Sequence, residues 1–150
     1  GLRVLLGVTG GIAAYKALDL VRRLRAEAAE VQVVMTRAAA HFVGAASFQA
    51  LSGNPVRDEL WDPAAEAAMG HIELARWAQR LVIAPATAQC LARLRTGLAD
   101  DLLSTLALAT RAPVFLAPAM NQAMWLHPAT QDNLTVLKSR GVHILGPDHG

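Results

Sequence analysis

Arg3-Val4-Leu5-Leu6-Gly7-Val8-Thr9-Gly10-Gly11, with the segment from Ile12 to Met35 that follows it, decides how this chain folds. Residues 3–8 are a short, mostly apolar run, as a central parallel strand presents when both its faces are covered. The run breaks at Thr9-Gly10-Gly11. Beyond it Ile12, Tyr15, Leu18, Val21 and Leu24 recur at a spacing of three, with Leu20 widening the stripe, and predict a helix over 12–26. Arg22, Arg23 and Arg25 fall in its later turns, where cations suit the helix dipole. A second strand, Val31 to Met35, ends at Thr36-Arg37. Strand, helix and strand in this order make a right-handed βαβ unit and a parallel sheet.

The alternation continues outward. A helical stretch carrying Phe42 and Phe48 runs to about Ser52-Gly53, and residues 54–70 read as an irregular excursion with Pro55, Asp62, Pro63 and an alanine-rich patch. His71 to Ala78 predicts a short helix, Arg80 to Ala84 a third strand, and Leu91 to Thr110 a helix interrupted near Gly97. Pro113 to Leu116 is a fourth strand, Pro128 to Arg140 a helix, and Val142 to Leu145 a last strand. The fold class expected is α/β: a Rossmann-like, flavodoxin-like three-layer sandwich around a parallel sheet.

Composition excludes several functions. Hydrophobic residues at 53% against 17% charged are too apolar for disorder and imply surface buried against other subunits. A net charge of +2 with no long Lys or Arg run leaves no nucleic-acid footprint. No apolar run approaches the roughly 20 residues of a membrane span. The single Cys90 suits a reducing cytoplasm. Gly1 to Val4 enters a strand directly, so no signal peptide is expected. Gly146-Pro147-Asp148-His149-Gly150 reads as a loop cut mid-way, so one domain of a longer protein is expected.

Three turns at strand ends hold the candidate chemistry. Glycines in Gly7-Val8-Thr9-Gly10-Gly11 let backbone approach an anion, and the N–H groups of the following helix point at it. The pattern is neither G-x-G-x-x-G nor a P-loop, and Thr36-Arg37 replaces the acidic residue that would hold a ribose. A hydroxyl and a cation suit phosphate, which favours a mononucleotide over NAD. Small residues in Pro85-Ala86-Thr87-Ala88-Gln89 let a flat ring or ribityl chain lie against backbone. After the fourth strand, Ala117-Pro118-Ala119-Met120-Asn121-Gln122-Ala123-Met124-Trp125 places Asn121 either as a polar hook for a ligand or as the cap of the next turn. An imidazole can serve as acid or base, which makes His71 a candidate, although its pattern alone favours a solvent-bonded helix start. No His/Cys cluster suggests a metal, and Cys90 reads as a small buried residue without a base beside it.

Four motifs, Gly7 to Lys16, Gly70-His71-Ile72-Glu73-Leu74, Pro85-Ala86-Thr87-Ala88 and Pro118-Ala119-Met120-Asn121, stand in one order and spacing. Together they resemble the homo-oligomeric flavin-containing cysteine decarboxylases, and the resemblance covers essentially all 150 residues. It is strongest to the branch that decarboxylates 4'-phospho-N-pantothenoylcysteine to 4'-phosphopantetheine in coenzyme A biosynthesis, commonly the N-terminal half of a bifunctional bacterial protein.

That resemblance implies FMN as cofactor. Its phosphate would be held by Gly10, Gly11, Ile12 and Thr36, with Arg37 nearby; Thr9 would also contact the cofactor, and the flavin would be bordered by Ala86, Thr87, Ala88, Gln89 and Ala119. His71 would be the active-site histidine; Asn121 would bind the substrate carboxylate, with Met120 and Met124 beside it. The assembly would be a homotrimer, or a dodecamer of trimers, with FMN at a subunit interface. Flavin oxidation of the cysteine thiol to a thioaldehyde would make the carboxylate labile, and carbon dioxide would leave an enethiolate. Gln89 and Cys90 depart from the usual Asn-Thr. The family's substrate-covering flap and its cysteine would lie beyond residue 150, so residues 1–150 alone are not expected to return the electrons to product. A peptidyl-cysteine decarboxylase and a non-enzymatic FMN-binding regulatory subunit share this fold. A flavin prenyltransferase is not expected to pair His71 with Pro118 to Asn121.

Overall fold

The computed structural model describes residues 1–58 and 60–146. Pro147 and Asp148, read above as part of a cut loop, lie outside the described residues. Strands β1 (Arg3–Val8), β2 (Glu30–Met35), β3 (Arg80–Ala86), β4 (Val114–Pro118) and β5 (His143–Ile144) form one parallel sheet in the order β2-β1-β3-β4-β5. This is the flavodoxin-like order. The chain reverses its winding between β1 and β3, which opens a crevice at the carboxyl ends of those two strands.

Alternation along each strand divides the core. Leu5 of β1, Leu81 and Ile83 of β3 and Leu116 of β4 face helices α4 (His71–Trp77), α5 (Ala88–Thr96), α6 (Leu102–Ala109) and α8 (Pro128–Ser139). Val4, Leu6 and Val8 face the other way with Val31, Val33 and Met35, against α1 (Lys16–Ala26) and α2 (Ala45–Ser52). Sheet residues are therefore buried on both faces, which is why these strands read as continuous apolar runs. Phe48 of α2 is fully buried and fills the space between α2 and the sheet.

The expected helix over 12–26 needs correction. Ile12–Tyr15 is a 3-10 turn and the α-helix begins at Lys16. Ile12 is 82% and Tyr15 58% exposed. At about 100° per residue, a spacing of three drifts around a helix, so the stripe that packs well at Val21 has left the sheet at its start. Buried Ala14, Ala17 and Val21 make the contact instead. Phe42 is likewise exposed, because Gly44 breaks the chain between a 3-10 turn at Ala38–His41 and α2.

The stretch Leu91–Thr110 is two helices. Gly97, at φ 73°, ends α5 in the left-handed region, and a capping box between Asp101 and Ser104 starts α6. The excursion over 54–70 holds a helix not foreseen, α3 (Pro63–Ala68), capped by Asp62, whose side chain accepts from the N–H groups of Ala64 and Ala65. Asp62-Pro63 is a helix-start signal that the alanine run obscured. A short helix, α7 (Gln122–Leu126), follows β4. No helix among the described residues is long and apolar enough to cross a membrane.

Candidate functional site

The carboxyl edge of the sheet is stitched together by its own backbone and hydroxyls. Thr9, which follows β1, is buried; its Oγ1 donates to the Pro85 carbonyl at 2.6 Å and accepts from the Thr87 N–H at 3.1 Å. Ala119 N–H donates to the Ala86 carbonyl at 3.1 Å. The ends of β1, β3 and β4 thus form one rigid rim, and the Thr9 hydroxyl is committed to it. Gly10 lies against the turn that follows β2: a Cβ there would sit 2.4 Å from Ala38 Cβ and 2.8 Å from its carbonyl carbon. Backbone cannot yield as a side chain can. Gly10→Ala is expected to cost about 1–3 kcal/mol, seen as a lower urea midpoint at unchanged slope.

Above this rim lies a cleft of about 1010 Å³, at the upper end of the roughly 300–1,000 Å³ typical of ligand pockets. Of the residues singled out in the sequence, Thr9, Gly10, Thr36, Arg37, Thr87, Ala88, Gln89 and Met124 line it. The Thr36 hydroxyl accepts from Ala39 N–H at 3.3 Å and the Thr87 hydroxyl from Cys90 N–H at 3.2 Å. Each caps a helical turn as acceptor, which leaves its O–H proton for an acceptor in the cleft. Arg37 is exposed on the rim and forms no ion pair among the described residues. Arg93, also on the wall, is held by Asp100 at 2.9 Å and Asp101 at 3.7 Å, so its charge is answered locally. Hydroxyl donors, a free guanidinium and small side chains at Gly10, Ala38 and Ala88 suit a flat ring with an anionic tail.

Gly11, Ile12, Ala86, Ala119, Met120, Asn121 and His71 are not on that lining. Gly11 is extended and leads into the 3-10 turn, where a Cβ would meet only Thr87 Cγ2 at 3.9 Å. Met120 packs against the core. Asn121 caps the helix that follows β4. Its Oδ1 accepts from Met124 N–H at 2.9 Å and caps α7, which pins the amide and leaves its NH₂ as the group offered outward. His71 opens α4 with its Nδ1 3.1 Å from a Glu66 carboxylate oxygen.

Several cleft residues were not anticipated. Trp61, 86% exposed on the rim, sits in the excursion after β2 and carries no periodic signal. Asp100, Asp101 and Arg93 follow from the break at Gly97, whose consequence for the cleft is visible only in three dimensions. Cys90 lines the cleft but its thiol is buried, and burial, reinforced by Asp101, pushes it up to about 12. Its burial on α5 agrees with the sequence reading of a small buried residue.

Residues 1–150 match the family described as Flavoprotein. The chain is 57% identical, over all of its length, to the coenzyme A biosynthesis bifunctional protein CoaBC of Haemophilus influenzae, of which it covers 38%. It therefore spans a little over a third of the length of the curated relatives it matches. Among solved structures, the FMN-dependent cysteine decarboxylase SpaF superposes with a TM-score of 0.91 at 35% identity, covering 99% of this chain and 86% of that one. A PPC decarboxylase variant complexed with pantothenoylaminoethenethiol superposes at 0.81 and 34% identity, covering 98% and 82%. With one sheet order, one cleft at the switch point and a match from the first residue to the last, the chain belongs to the flavoprotein family.

Proposed function

We propose that this chain is an FMN-dependent decarboxylase of 4'-phospho-N-pantothenoylcysteine, yielding 4'-phosphopantetheine for coenzyme A biosynthesis. The observation that carries this reading is the donor-rich cleft at the β1–β3 switch point, in a chain whose 150 residues match 38% of CoaBC. FMN bound there would supply a two-electron acceptor for the thiol-bearing carbon, placing a thiocarbonyl β to the carboxylate so that carbon dioxide can leave.

The chain's own residues supply binding, orientation and proton handling. The Thr36 and Thr87 hydroxyls, the backbone after Gly10 and the Arg37 guanidinium would hold the phosphate and the ring. Asn121 would meet the substrate carboxylate with a neutral N–H donor. A neutral donor fixes the group without the ionic hold that would stabilise the ground state. His71 would accept or return a proton at the substrate sulfur.

His71 and Asn121 lie off the lining of the single-chain cleft, and Ile12, Tyr15, Ile72 and Leu108 are exposed apolar side chains. Both features support a site completed by a second copy, in a homotrimer or a dodecamer of trimers. An enclosed cytoplasmic enzyme of small-molecule metabolism is the setting this chemistry implies. The flap cysteine, which would protonate the enethiolate as reduced flavin returned the electrons, is part of the same proposal and would come from outside residues 1–150. A polypeptide of residues 1–150 is then expected to release carbon dioxide without completing conversion to 4'-phosphopantetheine, as product analysis by mass spectrometry would read.

A second reading takes cysteine-terminated peptides as substrates; the SpaF superposition supports FMN-dependent cysteine decarboxylation under either reading. Competition between such peptides and phosphopantothenoylcysteine separates the two. The first test is a visible spectrum of the purified protein. Oxidised-flavin absorption is expected, and a colourless protein that takes up no added FMN would contradict the proposal.

A further inference from the structure

Glu66 and Arg57 hold an arrangement around His71 that no step above uses. Glu66, on α3, turns its carboxylate onto His71: Oε1 and Oε2 lie 3.1 and 3.2 Å from the imidazole Nδ1, and Oε2 accepts from the His71 backbone N–H at 3.2 Å. The hydrogen bond from His71 holds the Glu66 carboxyl below the usual carboxylate range.

Three independent features keep the carboxylate there. Asp62 caps α3, at 3.1 and 3.2 Å to the Ala64 and Ala65 N–H groups, and so fixes the helix that carries Glu66. Gly70 lies beside the carboxylate, where a Cβ would come within 3.0 Å of Oε1. Arg57 grips the neighbouring residue, its Nη1 donating to the Met69 carbonyl at 2.6 Å. Arg57 is itself buried and locked to the edge of β2 by two backbone hydrogen bonds, Arg57 N–H to Val33 at 3.0 Å and Met35 N–H to Arg57 at 2.8 Å. The His71 backbone and ring are thus braced from β2 and from α3 together.

We propose that Glu66 is a positioning residue for His71. A carboxylate is acceptor-only, so it selects the Nδ1–H form of the neutral ring. Nε2 is left with its lone pair and directed away from Glu66. Where His71 handles the substrate's thiol proton, as proposed above, this tautomer makes it the proton acceptor. Glu66 touches neither substrate nor cofactor; it acts through the ring.

The test combines two readouts on the full FMN-loaded protein and on protein without substrate. Glu66→Ala is expected to lower kcat for carbon dioxide release about 10- to 100-fold, with KM and FMN affinity unchanged. Glu66→Gln, whose amide oxygen can still accept from Nδ1–H, is expected to recover most of the loss. In ¹H–¹⁵N spectra of the neutral imidazole, the parent is expected to carry its proton on Nδ1 and Glu66→Ala to shift it toward Nε2. An unchanged tautomer, an unchanged kcat, or a loss confined to KM would overturn the proposal. The tautomer is read without substrate, so it separates this proposal from the functional one on which it rests. A parent that shows Nδ1–H yet releases no carbon dioxide overturns the catalytic role of both.

Discussion

His71→Asn is expected to abolish carbon dioxide release from phosphopantothenoylcysteine, by about 10²- to 10⁴-fold, while FMN binding and assembly survive. The substitution is chosen for what it keeps. Asparagine retains an N–H that can donate to the Glu66 carboxylate, so the brace between α3 and α4 has a partner. It lacks a nitrogen that can gain or lose a proton near neutrality. The cleft residues proposed to hold FMN, Gly10, Thr36, Arg37 and Thr87, are elsewhere, on the turns after β1, β2 and β3. Flavin absorbance and sedimentation should match the parent, and only the release of labelled carbon dioxide should fall. Loss of flavin or of assembly would instead assign His71 a structural role at the start of α4.

Asn121→Asp is expected to lower kcat/KM at least about 100-fold, roughly 3 kcal/mol, with most of the change in KM. Aspartate caps a helix as well as asparagine does, so an oxygen can still accept from the Met124 N–H and α7 should hold. What changes is the outward group: a donor NH₂ becomes an anion facing the substrate's carboxylate. Thermal stability should stay within about 0.5 kcal/mol of the parent. Asn121→Ala, by contrast, removes cap and donor together and should cost about 1 kcal/mol of stability as well. Comparing the two by calorimetry and steady-state kinetics separates the cap from the hook. An unchanged KM in Asn121→Asp would remove Asn121 from the substrate site.

The sheet was legible because its strands are buried on both faces. Runs such as Val4-Leu5-Leu6 and Leu81-Val82-Ile83 have no polar side to mislead, and the glycine turn after β1 marks the switch point. Amphipathic helices were harder. Ile12 and Tyr15 belong to an apolar pattern but not to the core, since periodicity identifies a face without identifying what covers it. Asn121 shows a related limit: cap and ligand donor would use opposite ends of one amide, so the cap seen in the structure leaves its NH₂ open to the second reading. Thr9 lines the cleft, as a candidate cofactor contact should, while its hydroxyl is bonded to Pro85 and Thr87, which the sequence alone does not show. Glu66 went unnoticed because its partner is five residues away through a turn at Gly70, a separation that belongs to neither helix nor strand periodicity.

The most direct measurement of the central claim is release of labelled carbon dioxide from carboxyl-labelled 4'-phospho-N-pantothenoylcysteine, with and without bound FMN. Release that depends on FMN and is lost in His71→Asn is the predicted result. FMN-loaded protein that releases no label, or release that persists after FMN is stripped, would contradict it.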